Sequence, residues 1–499
     1  MSQPFNMAAY CLSAAAQGTP AKPALIVVED PAGPPAEIWS YAAIEDGVLR
    51  IAAALQDRGL APGSRVLIRL DNTSTYALLF FGAIAGGFVP VPASAQLTGT
   101  EVELLVADSG AAAVALADHL PMGHIPDRVC LLHADEVALM TRHHRRASYA
   151  PTRWNDPAFL IYTSGTTARP KGVLHAQRSA FGRRPMYQGW YGLSGADRML
   201  HAGAFNWTFT LGAGLTDPWA NGATSIVYTG PKEAGVWPRL IRETGATLFA
   251  AVPSLYRQIL RHADVAPGAL GALRHGLMAG ETPPEGLFDD WAARTRTELY
   301  EALGMSEIST YVSSAPTVPR KPGTVGKPQA GRRVAILPVE EGEAPLAAGA
   351  EGLLAVHRSD PGLMLGYWNR PEEEAAVLRG DWFVGGDLAA IDTEGYLVHR
   401  GRANDLMNAF GYRVSPLEVE AALAAHPGVA EAACAERKVA SGVSVITAFI
   451  VPRPGAFPTP DEIRAFAATR LAAYKCPREV VFRDALPRTA NGKIQRAAL

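Results

Sequence analysis

Between about residue 40 and residue 360, short apolar runs recur with helical patterns between them. They are RVLIRL (65–70), AFLIY (158–162), TSIVYT (224–229), TLFAAV (247–252) and LRHGLMAG (273–280). Each is followed by turn or helix-start residues. That alternation predicts an α/β fold of stacked βαβ units with largely parallel sheets buried on both faces. The chain has 499 residues, past the length at which one core stops growing, so two or more domains are expected. No fixed period of roughly 20 to 50 residues marks it as a repeat protein.

The stretch YALLFFGAIAGGFVPVPASA (76–95) carries no charge and is long enough to span a bilayer. Its glycines and prolines instead divide it into an apolar helix, a turn at Gly86-Gly87 and a short strand ending at Pro90, so no membrane segment is expected. Lys and Arg number 46 against 48 Asp and Glu, a net charge of −2 that offers no general attraction for nucleic acid. Four scattered cysteines, Cys11, Cys130, Cys434 and Cys476, lack C-x-x-C spacing and read as reduced thiols. The first basic residue is Lys22, so the N-terminus lacks a secretory signal pattern and a cytoplasmic address is expected. His143-His144-Arg145-Arg146 has no helical ligand spacing and reads as a solvated loop.

The tail changes character near Arg402 to Asn404, inside RGRANDLMNAFGYR, which places a boundary between units 1–402 and 403–499. Ser415-Pro416-Leu417-Glu418 has the form of a capping box with proline at the first helical position, and Thr459-Pro460-Asp461-Glu462 repeats it for a helix running to about Tyr474. VAEAACA (429–435) and VSVITAFIV (443–451) read as strands between them, giving a small α+β unit.

Against this background YTSGTTARPKG, Tyr162 to Gly172, is exceptional. Glycines let backbone N–H groups converge on an anion, and hydroxyls and one lysine add donors, so the segment reads as a phosphate cradle. It is not a Walker A loop, because Lys171 is followed by Gly172 and preceded by Pro170. Further charged or turn segments sit at predicted strand ends: AGET (279–282), EALGMSE (301–307), VGGDLA (384–389), RGRAND (400–405) and PRTANGKIQR (487–496).

Their order, with GYWNRPE (366–372), resembles the adenylate-forming superfamily of acyl-CoA synthetases, luciferases and peptide-synthetase adenylation domains over nearly the whole chain. The resemblance implies a large domain for ATP and a carboxylic acid, with a small mobile C-terminal domain over the site. It implies that Thr163, Ser164, Gly165, Thr166, Thr167 and Lys171 hold the β- and γ-phosphates, and that Glu307 and Thr166 hold Mg2+. Gly280, Glu281 and Thr282, with Glu301, Ala302, Leu303, Gly304, Met305 and Ser306, would form the adenine platform. Asp387 would accept the ribose hydroxyls, with Arg402 and Arg413 near ribose and phosphates. Lys493 matches the mobile catalytic lysine, Asn404 the hinge, and Phe410, Gly411 and Tyr412 the CoA channel. Catalysis is thus expected from Lys493, Glu307 and Lys171.

Trp207, Thr208, Leu211, Gly212, Ala279 and Gly304 suggest an apolar acyl tunnel without a Lys or Arg for a second carboxylate. Leu303 stands where the family usually has an aromatic residue, benzoate-type ligases resembling this chain in carrying an aliphatic one there, and Gly304 stands where acetate-specific relatives place Trp. The expected activity is ligation of an aromatic or short- to medium-chain aliphatic acid to coenzyme A through an acyl-adenylate, by a monomer or homodimer. Loading of a carrier protein's phosphopantetheine, luciferase-type oxidation, and a non-enzymatic nucleotide-binding role stand as alternatives.

Overall fold

The structure is a computed structural model and describes residues 4–163, 171–284, 286–405, 407–409, 412–439, 443–488 and 494–499. Its largest sheet has nine strands. Six central ones, Pro23–Val28, Thr224–Tyr228, Arg198–His201, Leu248–Ala251, His275–Ala279 and Glu298–Met305, are parallel neighbours in that order. Antiparallel strands close both edges: Glu37–Ser40 on one, Ser309–Ser313 and then Lys327–Pro328 on the other. A second sheet, Val89–Pro92, Arg65–Arg69, Ala113–Leu116 and Cys130–His133, is parallel throughout. The apolar runs of the sequence thus become buried parallel strands, as their composition dictates.

AFLIY departs from that pattern. Its strand, Pro157–Thr163, pairs antiparallel with Lys171–Ala176, and Gly366–Tyr367 adds to the other side of Lys171–Ala176. The uncharged stretch 76–95 folds as a core helix, Ser74–Ala85, followed by Val89–Pro92, so the strand ends two residues beyond the expected Pro90. Gly82 lets this helix lie on Tyr41–Asp57, because a Cβ there would come within 2.6 Å of Ile51 Cγ2. Among the described residues no helix is long and apolar enough to cross a membrane.

An antiparallel sheet of Val334–Leu337, Glu351–His357, Trp382–Ile391 and Leu378–Arg379 completes this body, with Leu397–Arg402 beside Trp382–Ile391. From Met407 onward the chain packs a different core: Met407, Val414, Val419, Leu423, Ile446 and Ile463 bury one another in a cluster with no earlier residue. This part holds helices Pro416–Ala424 and Pro460–Ala468, an antiparallel pair Val429–Val439 and Val443–Pro452, and a third strand, Glu479–Phe482, that the sequence reading did not include. The box at Thr459 forms, but its helix stops at Ala468 rather than near Tyr474. The box at Ser415 does not form, because Ser415 donates to the Arg400 carbonyl and Glu418 binds Lys475 Nζ at 2.6 Å.

All four cysteines are free thiols. His143 and Arg145 pair with Asp57 at 2.8 and 2.5 Å, and Arg146 with Glu45 and Asp46, so the HHRR segment is tied to helix Tyr41–Asp57 by ion pairs.

Candidate functional site

The strand pair around the glycine-rich loop sets the site. Thr163 and Lys171 are register partners, so the ends of segment 164–170 are held side by side. Gly366 and Tyr367 pair with Leu174 and Val173, which brings the GYWNRPE segment against the same strand. Close packing there requires glycine at 172, where a Cβ would sit 3.0 Å from Leu160 Cδ1 and 3.1 Å from Trp368 Cβ. The Tyr367 hydroxyl donates to Glu307 Oε1 at 2.7 Å, and its ring centroid is 5.3 Å from Lys171 Nζ. Lys171 forms an ion pair with Glu373 of the helix Pro371–Ala375. Glu307 keeps one carboxylate oxygen clear of its tyrosine bond, a donor set that suits a hard cation.

Asp387 lies on Trp382–Ile391, opposite Arg402 in register, and is only 6% exposed. His399 Nε2 lies 3.2 Å from Asp387 Oδ1 and Arg402 Nη1 lies 3.8 Å from Oδ2. Two cationic or donor groups thus aim one carboxylate. Gly386, with φ of +85°, makes the bend ahead of it. Gly385 leaves room for Met305, whose Cε would lie 2.5 Å from a Cβ there, so the EALGMSE strand and the VGGD turn touch. The fully buried Tyr311 feels the charge of both Asp387 and Glu307. Burial first, and then both carboxylates, push its phenol pKa far up.

Gly280 has φ of +95°, and a Cβ on it would approach Trp207 Cη2 to 2.9 Å. Trp207 therefore lies over Gly280, its ring edge-on to Phe209 at 5.7 Å. The Glu281 side chain accepts from Ser254 N and Oγ, both at 3.1 Å, at the start of helix Pro253–His262. It serves as a local cap, and its pKa is raised by burial. Thr282 is exposed, and Ala302 is buried. Loss of solvent pushes the Glu301 carboxyl up to about 8. Leu303 and Met305 pack from the edge on the core that contains Val173, Tyr311 and Phe383.

The expected acyl residues are only partly brought together. Thr208, Leu211 and Gly212 line one cavity; Trp207, Ala279 and Gly304 lie outside it. Gly304 is needed for a reason unrelated to acid length, since a Cβ there would meet the Ser309 carbonyl oxygen at 2.4 Å across the strand pair. Gly212 makes room for a guanidinium: a Cβ would lie 1.9 Å from Arg183 Nη2. Arg183, which the sequence reading did not name, lines the cavity, but it is held by Asp217 Oδ1 and Oδ2 at 2.8 and 2.7 Å and so offers no free cation for a second carboxylate. Sequence reasoning missed it because nothing near Arg183 in sequence announces its partner Asp217.

Ser164, Gly165, Thr166, Thr167, Phe410, Gly411 and Lys493 lie outside the described residues. Asn404 falls in the turn Ala403–Asp405, and Tyr412 and Arg413 in the strand Tyr412–Val414. The C-terminal part meets the larger body through Glu431, which pairs with Arg257 at 2.8 Å and Arg488 at 2.7 Å; both guanidiniums also act on Glu281. His399 and Tyr367 were not singled out from sequence, although GYWNRPE carried the signal for the latter.

The profile of the AMP-binding enzyme family matches residues 12–368, and that of the AMP-binding enzyme C-terminal domain matches 418–493. The chain belongs to the adenylate-forming AMP-binding enzyme family. Within it, the chain is 34% identical to benzoate–CoA ligase of Thauera aromatica, over 92% of this chain and 90% of that one. It is 31% identical to 3-hydroxybenzoate–CoA ligase of Aromatoleum sp. (strain CIB), over 92% and 91%. The crystal structure of a benzoate CoA ligase from Burkholderia xenovorans LB400 superposes with a TM-score of 0.86 at 28% identity, covering 99% of both chains.

Proposed function

We propose that the protein is a carboxylate–CoA ligase acting on an aromatic or short- to medium-chain aliphatic acid. The acid's carboxylate oxygen attacks the α-phosphorus of ATP and pyrophosphate leaves with the bonding electrons. The sulfur of CoA then attacks the acyl carbon of the acyl-adenylate and AMP leaves. The observation that carries this reading is the convergence on Tyr367 of Glu307, at 2.7 Å from its hydroxyl, and Lys171, at 5.3 Å from its ring. One aromatic side chain aligns an anionic and a cationic group beside the phosphate-loop hairpin.

In this reading the Lys171 ammonium donates to the departing phosphates, and Asp387, steadied by His399 and Arg402, accepts the ribose hydroxyls. Glu307, with Thr166, would hold Mg2+, which neutralises phosphate charge when bound. Thr163 and the 164–167 segment supply further phosphate donors. The Gly280–Thr282 and Glu301–Ser306 segments flank the adenine, and Lys493 and Arg413 come from the C-terminal unit 403–499. Relatives that act on benzoate and 3-hydroxybenzoate support an aromatic acid as the first class to test.

The test is acid-dependent exchange of labelled pyrophosphate into ATP, followed by CoA thioester release, over benzoates and C2 to C12 acids. Absence of exchange with every acid overturns the reading. A phosphopantetheine-bearing carrier protein in place of CoA tests the alternative acceptor.

A further inference from the structure

We propose that the inner end of the acyl site is a hydroxyl-recognition subsite, so that the acid activated here carries a hydroxyl remote from its carboxylate. This inference rests on the ligase reading above and narrows its substrate class.

The cavity under Thr208, Leu211 and Gly212 has a volume of about 30 Å3 and is also lined by His175, Arg183 and Ser309. That is room for one small polar group rather than a ring. His175 is 3% exposed, and its Nε2 donates to the Ser306 carbonyl at 2.9 Å. This bond fixes the tautomer, leaving Nδ1 as a bare acceptor. Nδ1 is buried and makes no hydrogen bond among the described residues, an expensive condition unless something occupies the cavity. The ring cannot turn away easily, because it stacks on Phe159 at 4.5 Å and an interplanar angle of 14°. Burial also pushes its pKa down to about 4, so the imidazole is neutral near pH 7.

Ser309 supplies the complement. Its oxygen accepts from Arg183 Nη1, which leaves its own proton to donate. The site thus combines an acceptor that needs a proton with a donor that needs a lone pair. A carboxylate or ketone brings no proton to Nδ1, and an ammonium brings no lone pair to Ser309. A hydroxyl brings both. Arg183 does not convert the site into a carboxylate anchor, because Asp217, fully buried, already neutralises it through two hydrogen bonds. Met7, Phe80, Phe159 and Ile308 also line the cavity, and the hydroxyls of Ser179 and Thr216 on its wall already donate to Met7 Sδ and the Leu211 carbonyl, so the space suits the polar tip of an acid whose apolar skeleton lies outside it.

The experiment compares kcat/KM for ATP-dependent CoA thioester formation across matched pairs: benzoate against its 2-, 3- and 4-hydroxy derivatives, and hexanoate against 6-hydroxyhexanoate. We expect at least one hydroxylated acid to exceed its parent by about ten- to a hundredfold. In His175→Phe and in Ser309→Gly, that ratio should fall at least tenfold, through the KM for the acid and not for ATP. Ser309 has φ of 74°, which suits glycine, so the second variant removes the hydroxyl without backbone strain. A wild-type ratio of one or less, or a ratio unmoved by both variants, overturns the subsite and leaves the cavity to a water molecule. Turnover of the parent acids in that case keeps the ligase reading intact. If no acid of either kind supports pyrophosphate exchange, the ligase reading itself fails, and the subsite with it.

Discussion

Tyr367 holds Glu307: its hydroxyl donates to Oε1 at 2.7 Å, from a strand only two residues long that is pinned to the strand Lys171–Ala176. Burial raises the pKa of the phenol, so it stays a donor through the neutral range. A hydrogen bond to a charged group contributes about 1.5–3 kcal/mol. Tyr367→Phe is therefore expected to slow pyrophosphate exchange about ten- to a hundredfold and to raise the Mg2+ concentration needed for half-maximal rate. An unchanged Mg2+ dependence would show that Glu307 is oriented without the tyrosine.

The Lys171–Glu373 ion pair predicts an effect of opposite sign. If Lys171 takes up ATP phosphates as proposed, they must compete with Glu373 for the ammonium, and both side chains are partly exposed, at 23% and 33%. Exposed pairs contribute about 0.2–1 kcal/mol. Glu373→Gln should accordingly lower the KM for ATP by up to about fivefold, with kcat little altered. A raised KM would mean that Glu373 positions Lys171 productively.

Arg183 and Asp217 predict a stability effect. The pair is buried and joined by two hydrogen bonds, with the Tyr191 hydroxyl also donating to Asp217 at 2.8 Å. Removing one partner strands the other's charge, at a cost of about 3–5 kcal/mol. Asp217→Asn should shift the urea midpoint down accordingly, and the paired change Arg183→Met with Asp217→Leu should recover much of the loss. A single variant as stable as wild type refutes the assignment.

Acid sensitivity follows from three buried histidines. Desolvation lowers the pKa of His175 and His275 to about 4 and of His201 to about 3, from 6.5. Their folded values are depressed, so the unfolded chain takes up protons that the folded chain refuses. Stability contributed by neutral imidazoles is complete above pH 6.5 and declines as pH falls towards 4, by a few kcal/mol per histidine. Denaturant titrations at pH 7, 6, 5 and 4 should show that slope, and it should shrink in His201→Phe. A flat profile would mean that these rings are solvated.

Legibility from sequence tracked how local each cause is. The strands Leu248–Ala251 and His275–Ala279 were legible because short uncharged stretches with three or four consecutive apolar residues, bounded by turn residues, have few other fates. Asp387 was singled out through the resemblance that VGGDLA helps to carry, and it sits on Trp382–Ile391 directly behind the turn at Gly386. Arg183 was not, since its burial depends on Asp217, which is 34 residues away, and on the missing side chain of Gly212. The short strand Glu479–Phe482 escaped because its pairing with Thr447–Ile450 is decided by tertiary context. Ser415 was misread for the same reason: nothing near it in sequence announces the Arg400 carbonyl.

That serine makes the joint between the two bodies a place of exchange. Its hydroxyl is spent on Arg400, at the end of the larger body's last sheet strand, while helix Pro416–Ala424 goes without a side-chain cap. A rotation that drew the helix away from that strand would break the Arg400 bond and let the hydroxyl oxygen turn to accept from the first-turn N–H groups of the helix. The number of bonds is conserved across the movement, so this contact would act as a low-friction bearing rather than a lock, and Ser415→Ala would stiffen neither pose against the other.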